Sequence, residues 1–444
     1  MNVDWLAGGG SPLHGSIRVP GDKSISHRAV MLAAIAQGQS RISGFLEGED
    51  TRASARILGQ LGVRIDSLAD GERVVSGVGL HGLAGSDSQL DCGNAGTGMR
   101  LLAGLLAGQN FSSCLVGDES LSTRPMGRII VPLTAMGAKI ESGPHGRPPL
   151  IIHANNVLQA IDFTTPIPSA QLKSAILLAA LYAHGITVVR EPQPTRDYTE
   201  RMLAAFGWPV EFSPGHVRLS GGHILTATEV AVPADFSSAA FFIVAATIVP
   251  GSDLKLTAVG MNPRRTGLLQ ALRLMGADIV EESPRQQGGE IVADLRVRFA
   301  RLRGADIPSA LVPDMIDEFP ALFVAAAVAE GSTRVTGASE LRVKESDRLA
   351  VMTQALVSLG AKIEETPDGA IIQGGTLRGG QANSHGDHRI AMSLAVAAQL
   401  ASGEVRILDC ANVATSFPDF PALASSSGFG LKPAQSANAA TGPA

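Results

Sequence analysis

The sequence predicts an α/β protein made of six repeated units, and three observations carry that expectation. An apolar run that ends near a glycine and leads into a strand pattern occurs six times: Ala29–Gly38, Met99–Gly108, Ala175–Gly185, Ala239–Gly251, Ala321–Gly331 and Ile390–Gly403. Between successive copies a second helical pattern also ends in glycine and strand. It reads LGVRIDS at Gly62, MGAKIES at Gly137, FGWPVEF at Gly207, MGADIVE at Gly276, LGAKIEE at Gly360 and, more weakly, SGFGLKP at Gly428. The period, roughly 70 residues, is that of an internal repeat, each unit being helix–strand–helix–strand with further strand material between.

The first 19 residues close on a strand candidate, Gly15–Val19. Unit one opens with the turn Pro20-Gly21 and a polar head of Lys23, Ser24 and Arg28. The run Ala29–Ala36 that follows has no polar face, so as a helix it is buried on all sides. Gly38 reads as the residue past the helix end, and Ser40–Ser43 as a strand. A buried helix headed by Lys, Ser and Arg aims free N–H groups and positive charge at one point, which suits an anion. The alternative is a capped core helix with solvated charges. GVGLHG, at Gly77–Gly82, matches a dinucleotide-binding pattern, but no helix start follows it and no βαβ unit frames it, so it reads as a loop.

Unit two begins Asp91-Cys92-Gly93-Asn94-Ala95-Gly96-Thr97-Gly98-Met99-Arg100. Three glycines leading into a buried helix allow a ligand close to the backbone; the alternative is a tight turn capped by Asn94 or Thr97. Leu121–Met126 introduces the second helix, with Pro125 in its first turn and Arg124 just ahead of it. Unit three opens at Pro168–Ser174, and its second helix at Thr195–Tyr198. Unit four, headed by Asp235–Ser238 and Asn262–Arg265, shows less convergent chemistry, and Val232-Pro233-Ala234 ahead of it suits a crossing between two halves. Unit five carries Asp314–Pro320 and Leu341–Arg348; unit six carries His385–Arg389 and Thr415–Asp419.

Composition sets limits on partners. With 444 residues, 45% hydrophobic and 17% charged, the chain can build large cores, and two or three domains are expected. A net charge of −5 gives no basic footprint for nucleic acid. No signal peptide and no run long enough to span a membrane is read, and Cys92, Cys114 and Cys410 lack metal-ligand spacing, so reduced thiols in a cytoplasm are expected. The Ala/Ser/Pro-rich end, 432–444, reads as a disordered tail.

The repeat also sorts the polar residues. Arg124, Arg196 and Arg348 take equivalent places at the heads of second helices, while Lys23, Gly96, Gln171, Asp317 and Arg389 lie near the heads of first helices. If the units are arranged alike, these heads face one cavity, cationic yet holding two or three carboxylates. Such a cavity suits phosphorylated or carboxylated small molecules, with arginine as the bidentate clamp. An elongated solenoid gives the same periodicity. Each motif also has a plainer reading: RVKESDR as a solvated helix start, Asp317-Glu318 as a cap, and His385, Asp387 and His388 as metal ligands or a charge-paired helix head.

Taken together, PGDKSISHR, GNAGTGMR, STRPMGR, SAQLKSA, RDYTE, IDEFP, ELRVKESDR, GDHRIAMS and TSFPDF resemble the 5-enolpyruvylshikimate-3-phosphate synthase (3-phosphoshikimate 1-carboxyvinyltransferase) family, in family order from residue 20 to about 420. RPMGR and SAQLK are closer to its proteobacterial class II branch. The resemblance implies two globular domains, each of three βαβαββ units about a pseudo-threefold axis: 22–233 as one, and 1–21 with 234–431 as the other. It implies a cytoplasmic enzyme, a glyphosate target, that closes its halves around shikimate 3-phosphate and phosphoenolpyruvate without metal or organic cofactor. A monomer, with no nucleic-acid or membrane partner, is expected.

Residue by residue, the resemblance implies that Ser24, Arg28, Ser169, Gln171 and Arg196 contact shikimate 3-phosphate, with Lys23, Lys344 and Asp317 also at that substrate. Lys23, Gly96, Arg124, Gln171, Arg348 and Arg389 are implied at phosphoenolpyruvate. Asp317 resembles the base at the 5-hydroxyl and Glu345 the acid/base near the methylene, with Lys23 as a third catalytic group. Adding a hydroxyl to C2 needs a base at the oxygen and a proton at C3; eliminating phosphate reverses the proton traffic. Two departures stand out: Ala170 replaces a serine of the enteric branch, a phosphate hydrogen bond that Arg196 is placed to replace, and Thr415 replaces a lysine. The sister transferase acting on UDP-N-acetylglucosamine uses a loop cysteine near the place of Thr123-Arg124, and Cys114 is too early for it. The RNA 3′-phosphate cyclase group handles nucleotides, which the acidic balance opposes. A non-enzymatic repeat scaffold does not require so many matched polar helix heads.

Overall fold

A computed structural model describes residues 3–155 and 157–434. Its helices are α1 (Lys23–Ala34), α2 (Glu49–Gln60), α3 (Gly96–Leu106), α4 (Glu119–Ser122), α5 (Gly127–Ala135), α6 (Ala170–Ala180), α7 (Tyr198–Ala205), α8 (Phe236–Ile248), α9 (Gly267–Leu274), α10 (Phe319–Val328), α11 (Arg348–Ser358), α12 (His388–Ala398) and α13 (Phe420–Ser426). The chain divides into two compact units. One holds Pro20–Pro233 and Arg285–Val292; the other holds the chain up to Val19, Ala234–Pro284 and the chain from Ala293.

In the first of these units a single sheet pattern occurs three times. Strands Glu229–Ala231, Gln37–Ser43, Arg73–Val78 and Arg64–Ser67 lie in that order, the first pair parallel and the others antiparallel. Leu90–Asp91, Ser113–Val116, Arg147–Ile152 and Ile140–Gly143 repeat it, as do Asp162–Thr164, Ile186–Arg190, His216–Ser220 and Val210–Ser213. The apolar runs form α1, α3 and α6, whose side chains are buried on nearly every face and share one core. Helices without a polar face have nowhere stable to lie except inside a ring of sheets.

The other unit repeats the plan in part: one sheet has three strands, Ser332–Val335, Gly369–Gln373 and Lys362–Thr366, and two sheets each take a strand from the start of the chain. Strand His14–Ile17 pairs in parallel with Asp253–Gly260, and Trp5–Ala7 inserts antiparallel between Val405–Leu408 and Leu431–Pro433. Trp5 stacks on Phe420 of α13 with ring centroids 5.7 Å apart, within an aromatic cluster that includes Phe242, Phe417 and Phe429. That apolar surface holds the start of the chain in this core. Helices α8, α10 and α12 pack on one another at its centre.

Three local expectations need correction. Helix α1 ends at Ala34, so Gly38 is not its terminator; it lies inside strand Gln37–Ser43 at φ 102°, opposite Gly77, and the left-handed backbone there requires glycine. Pro125 precedes α5 rather than opening it: Met126 is the N-cap, and Leu121-Ser122 belong to the short α4. Residues Lys432 and Pro433 are strand, not tail, because they pair with Trp5 and Leu6; positions 435–444 lie outside the described residues. Cys92 and Cys410 are buried free thiols, and burial raises the pKa of each.

Candidate active site

In the unit built from 20–233, the heads of α1, α3 and α6 are tied together by side chains. Ser169 caps α6, its Oγ accepting from the Leu172 N–H at 3.3 Å. Two residues on, Gln171 accepts from Arg100 Nη1 at 2.8 Å and donates to Thr97 Oγ1 at 2.8 Å, joining α6 to α3. The head of α3 has Ala95 as its N-cap and no side-chain acceptor, and its Gly96 N–H donates to the Asn94 carbonyl at 2.8 Å. Two guanidiniums flank that end: Arg124 Nη2 donates to Asn94 Oδ1 at 2.6 Å, and a Cβ built on Gly96 comes within 3.1 Å of Arg124 Nη1 and 3.2 Å of Arg100 Nη1. Glycine there leaves the helix end open to an anion between two cations.

A second cationic group lies beside it. Arg28 is 4% exposed, its Nε donating to Thr199 Oγ1 and its Nη2 to Ser174 Oγ, both at 2.7 Å, with Nη1 on the Ser24 carbonyl. Burial pulls its pKa down to about 10, a shift that Glu200 and Asp22 oppose and the nearby charge of Arg196 favours. Two guanidiniums close enough to feel each other mark a place where an anion is stabilised. Lys23, half-buried, reaches Asp50 Oδ2 at 3.1 Å. Behind it His27 hydrogen-bonds Ser54 through Nδ1 at 2.8 Å; burial, and then the charges of Lys23 and Arg28, lower its pKa to about 3, so it is neutral at pH 7.

The other unit holds the carboxylates. Arg348, the first residue of α11 and 1% exposed, places Nε 2.8 Å from Asp387 Oδ2, Nη2 2.5 Å from Glu345 Oε2 and Nη1 3.5 Å from Asp317 Oδ1. Burial works against its charge, but Asp387, Glu345 and Asp317 outweigh it and the pKa is raised. Asp387 is the N-cap of α12 and also accepts from the Arg389 N–H and from Ser346 Oγ, so its oxygens serve this network rather than a metal. Arg389 in turn donates from Nη1 to the Asp317 carbonyl at 3.2 Å. Lys344, half-buried, has its pKa lowered by burial, with Arg348 adding to the shift and Asp317, Glu340 and Glu345 opposing it. An ammonium weakened in this way transfers its proton more readily.

The expected residues thus fall into three local groups: Gly96, Arg124 and Gln171; Ser24, Arg28 and Arg196 with Lys23 nearby on α1; and Asp317, Lys344, Glu345, Arg348 and Arg389. Ser169 sits at the head of α6, two residues before Gln171. The Thr415 hydroxyl donates to the Asn412 carbonyl at 2.7 Å within its own turn. Arg100 was missed, although it stands in a motif singled out above, whereas Asp387 takes the charge-paired helix-head reading given to it there. Arg100 lies four residues after Gly96, on the same helix face, which was the available signal. No group of three His, Cys, Asp or Glu side chains among the described residues could hold a metal ion.

Comparison with known proteins agrees on one family. The EPSP synthase (3-phosphoshikimate 1-carboxyvinyltransferase) family model matches residues 8–423. The 3-phosphoshikimate 1-carboxyvinyltransferase of Xanthomonas euvesicatoria pv. vesicatoria is 65% identical over 97% of this chain and 98% of its own. That of Xanthomonas oryzae pv. oryzae is 65% identical with the same coverage. Among solved structures, an EPSP synthase from Acinetobacter baumannii superposes with a TM-score of 0.88 at 48% identity, covering 98% of this chain and 100% of that one.

Proposed function

The chain belongs to the EPSP synthase family, and on that premise we propose which of its residues carry the reaction. It is an enzyme that transfers the enolpyruvyl group of phosphoenolpyruvate to shikimate 3-phosphate in aromatic biosynthesis. Shikimate 3-phosphate, anionic at its phosphate and its carboxylate, goes to Ser24, Arg28, Ser169, Gln171 and Arg196, with Lys23, Lys344 and Asp317 also at that substrate. Phosphoenolpyruvate goes to Lys23, Gly96, Arg124, Gln171, Arg348 and Arg389. Arg100 joins this set, because it shares Gln171 and flanks Gly96.

In the addition step Asp317 takes the 5-hydroxyl proton as that oxygen bonds to C2 of phosphoenolpyruvate, while Glu345 delivers a proton to C3. The product is a tetrahedral intermediate that keeps its phosphate. In the elimination step the C2–O bond to phosphate breaks with its electron pair, and a C3 proton returns to the enzyme. Lys23 and the arginines offset the charge crowded on the intermediate. The single observation that supports this assignment most is Arg348, which hydrogen-bonds both Glu345 and Asp317 and so holds the two proton-transfer carboxylates on one guanidinium.

One chain supplies every residue named, so the reading needs no second copy and we propose a monomer. No helix among the described residues is long and apolar enough to cross a membrane. Phosphorylated substrates do not cross a bilayer unaided, which fits work in the cytoplasm where they are made. The test is phosphate release from phosphoenolpyruvate by the purified enzyme, expected with shikimate 3-phosphate and not with UDP-N-acetylglucosamine. Release with neither acceptor counts against the reading.

A further inference from the structure

Beneath the Arg28 group lies a second charged cluster that the reaction scheme does not use. Lys173, on the buried side of α6, is 3% exposed. Its Nζ lies 2.7 Å from Glu191 Oε2 and 2.8 Å from Glu200 Oε1, and both carboxylates are as buried as the ammonium. The three residues come from three segments: α6, the end of strand Ile186–Arg190, and α7. Glu191 also accepts from the N–H and hydroxyl of Thr195, closing the loop that carries Arg196.

Each segment held by Lys173 presents a neighbour to, or next to, the two arginines assigned to shikimate 3-phosphate. Ser174 follows Lys173 on α6 and accepts from Arg28 Nη2; Thr199 precedes Glu200 on α7 and accepts from Arg28 Nε. The two hydroxyls also hydrogen-bond each other at 2.7 Å. Thr195, held by Glu191, precedes Arg196. An ion triad this deep adds little net stability over well-packed apolar side chains of similar size, because desolvation offsets most of the attraction. Its effect is geometric: it sets the spacing of the three segments to within hydrogen-bond tolerance.

We propose that Lys173, with Glu191 and Glu200, is a positioning residue that fixes Arg28 and Arg196 for shikimate 3-phosphate. This rests on the assignment of those two arginines in the proposed function. The neighbours of the triad, Ser174, Thr199 and Thr195, lead to Arg28 and Arg196, so its influence falls mainly on one substrate. With the triad loosened, Arg28 and Arg196 keep their charge but lose their aim, and the affinity for shikimate 3-phosphate drops while turnover at saturation is largely kept.

The test is steady-state kinetics with each substrate varied in turn. Lys173→Met alone leaves two buried carboxylates without a counter-charge and can unfold the chain. The decisive variant is therefore Lys173→Met with Glu191→Gln and Glu200→Gln, which carries no buried charge there, beside the milder Glu200→Gln. For the triple variant, folded by circular dichroism, KM for shikimate 3-phosphate should rise at least about tenfold. KM for phosphoenolpyruvate should stay within about twofold, and turnover within about threefold. Glu200→Gln, which keeps the acceptor oxygen, should recover most of the lost affinity. Unchanged KM for shikimate 3-phosphate in the folded triple variant, or equal rises for both substrates, overturns the inference. Arg28→Ala serves as the control: if it too leaves that KM unchanged, the arginine assignment itself falls, and the inference with it.

Discussion

Asp387 Oδ2 accepts from Arg348 Nε at 2.8 Å, and neither side chain reaches solvent, the two being 0% and 1% accessible. The residues are separated by 39 positions and come from the heads of two helices, α11 and α12. This pair anchors the guanidinium whose other nitrogens reach Glu345 and Asp317. Removing the anchor should both destabilise the fold and misplace the proton-transfer groups. Asp387→Ala is expected to cost about 3 kcal/mol, the low end for breaking a buried pair, because Glu345 and Asp317 still oppose the stranded charge. Urea unfolding measures the loss, and turnover should fall with it; a stable, fully active variant would show that Arg348 does not depend on Asp387.

Asp317 and Glu345 are assigned to proton transfer, so Asp317→Ala and Glu345→Ala should each lower turnover by about 10²-fold or more while the chain stays folded. Single-turnover measurements should show the loss in the chemical step rather than in substrate binding. Near-normal turnover in either variant removes that residue from its role.

Gly96→Ala adds a methyl group whose nearest neighbours are the Arg124 and Arg100 guanidiniums, at 3.1 and 3.2 Å. Those guanidiniums must give by a few tenths of an ångström. By the family resemblance glyphosate is expected in the phosphoenolpyruvate site, where it is the longer of the two ligands, so the methyl group should cost it more room. The glyphosate inhibition constant should rise at least about tenfold, a penalty of roughly 1.4 kcal/mol, with a smaller rise in KM for phosphoenolpyruvate. Equal factors in inhibition kinetics at matched shikimate 3-phosphate would mean that the whole anion site is disturbed.

His27 makes stability depend on pH in a direction that can be worked out. Its pKa falls from 6.5 in the unfolded chain to about 3 in the fold, so below pH 6.5 the unfolded state binds a proton that the native state refuses. Stability from this group is complete above pH 6.5 and is lost progressively as pH falls toward 3, at about 1.4 kcal/mol per unit. Between pH 7 and pH 5 the parent enzyme should lose about 2 kcal/mol more than His27→Gln, which has no proton to take up. Denaturant midpoints at the two pH values check this, and parallel losses in both proteins would mean that His27 titrates normally.

What the sequence determined by itself is the part of the protein that local periodicity encodes. Six apolar runs without a polar face had to be buried helices, and the six glycine-ended patterns after them had to be outer helices leading into strands. Polar residues clustered at the helix heads were legible for the same reason, since an apolar helix leaves only its ends for charge. Helix limits were less legible: α1 stops at Ala34 rather than near Gly38, because Gln37–Ser43 is drawn into a sheet with Arg73–Val78. The tertiary structure alone decided which heads meet. Arg100 reaches Gln171 across 71 positions, Lys173 lies between Glu191 and Glu200, and Arg348 turns onto Asp387. It also decided that Trp5 completes the sheet of the sixth unit, where Phe420 offers an apolar face to stack on. Such pairings depend on how separate units pack, and a buried charge takes whichever partner that packing brings within hydrogen-bond reach.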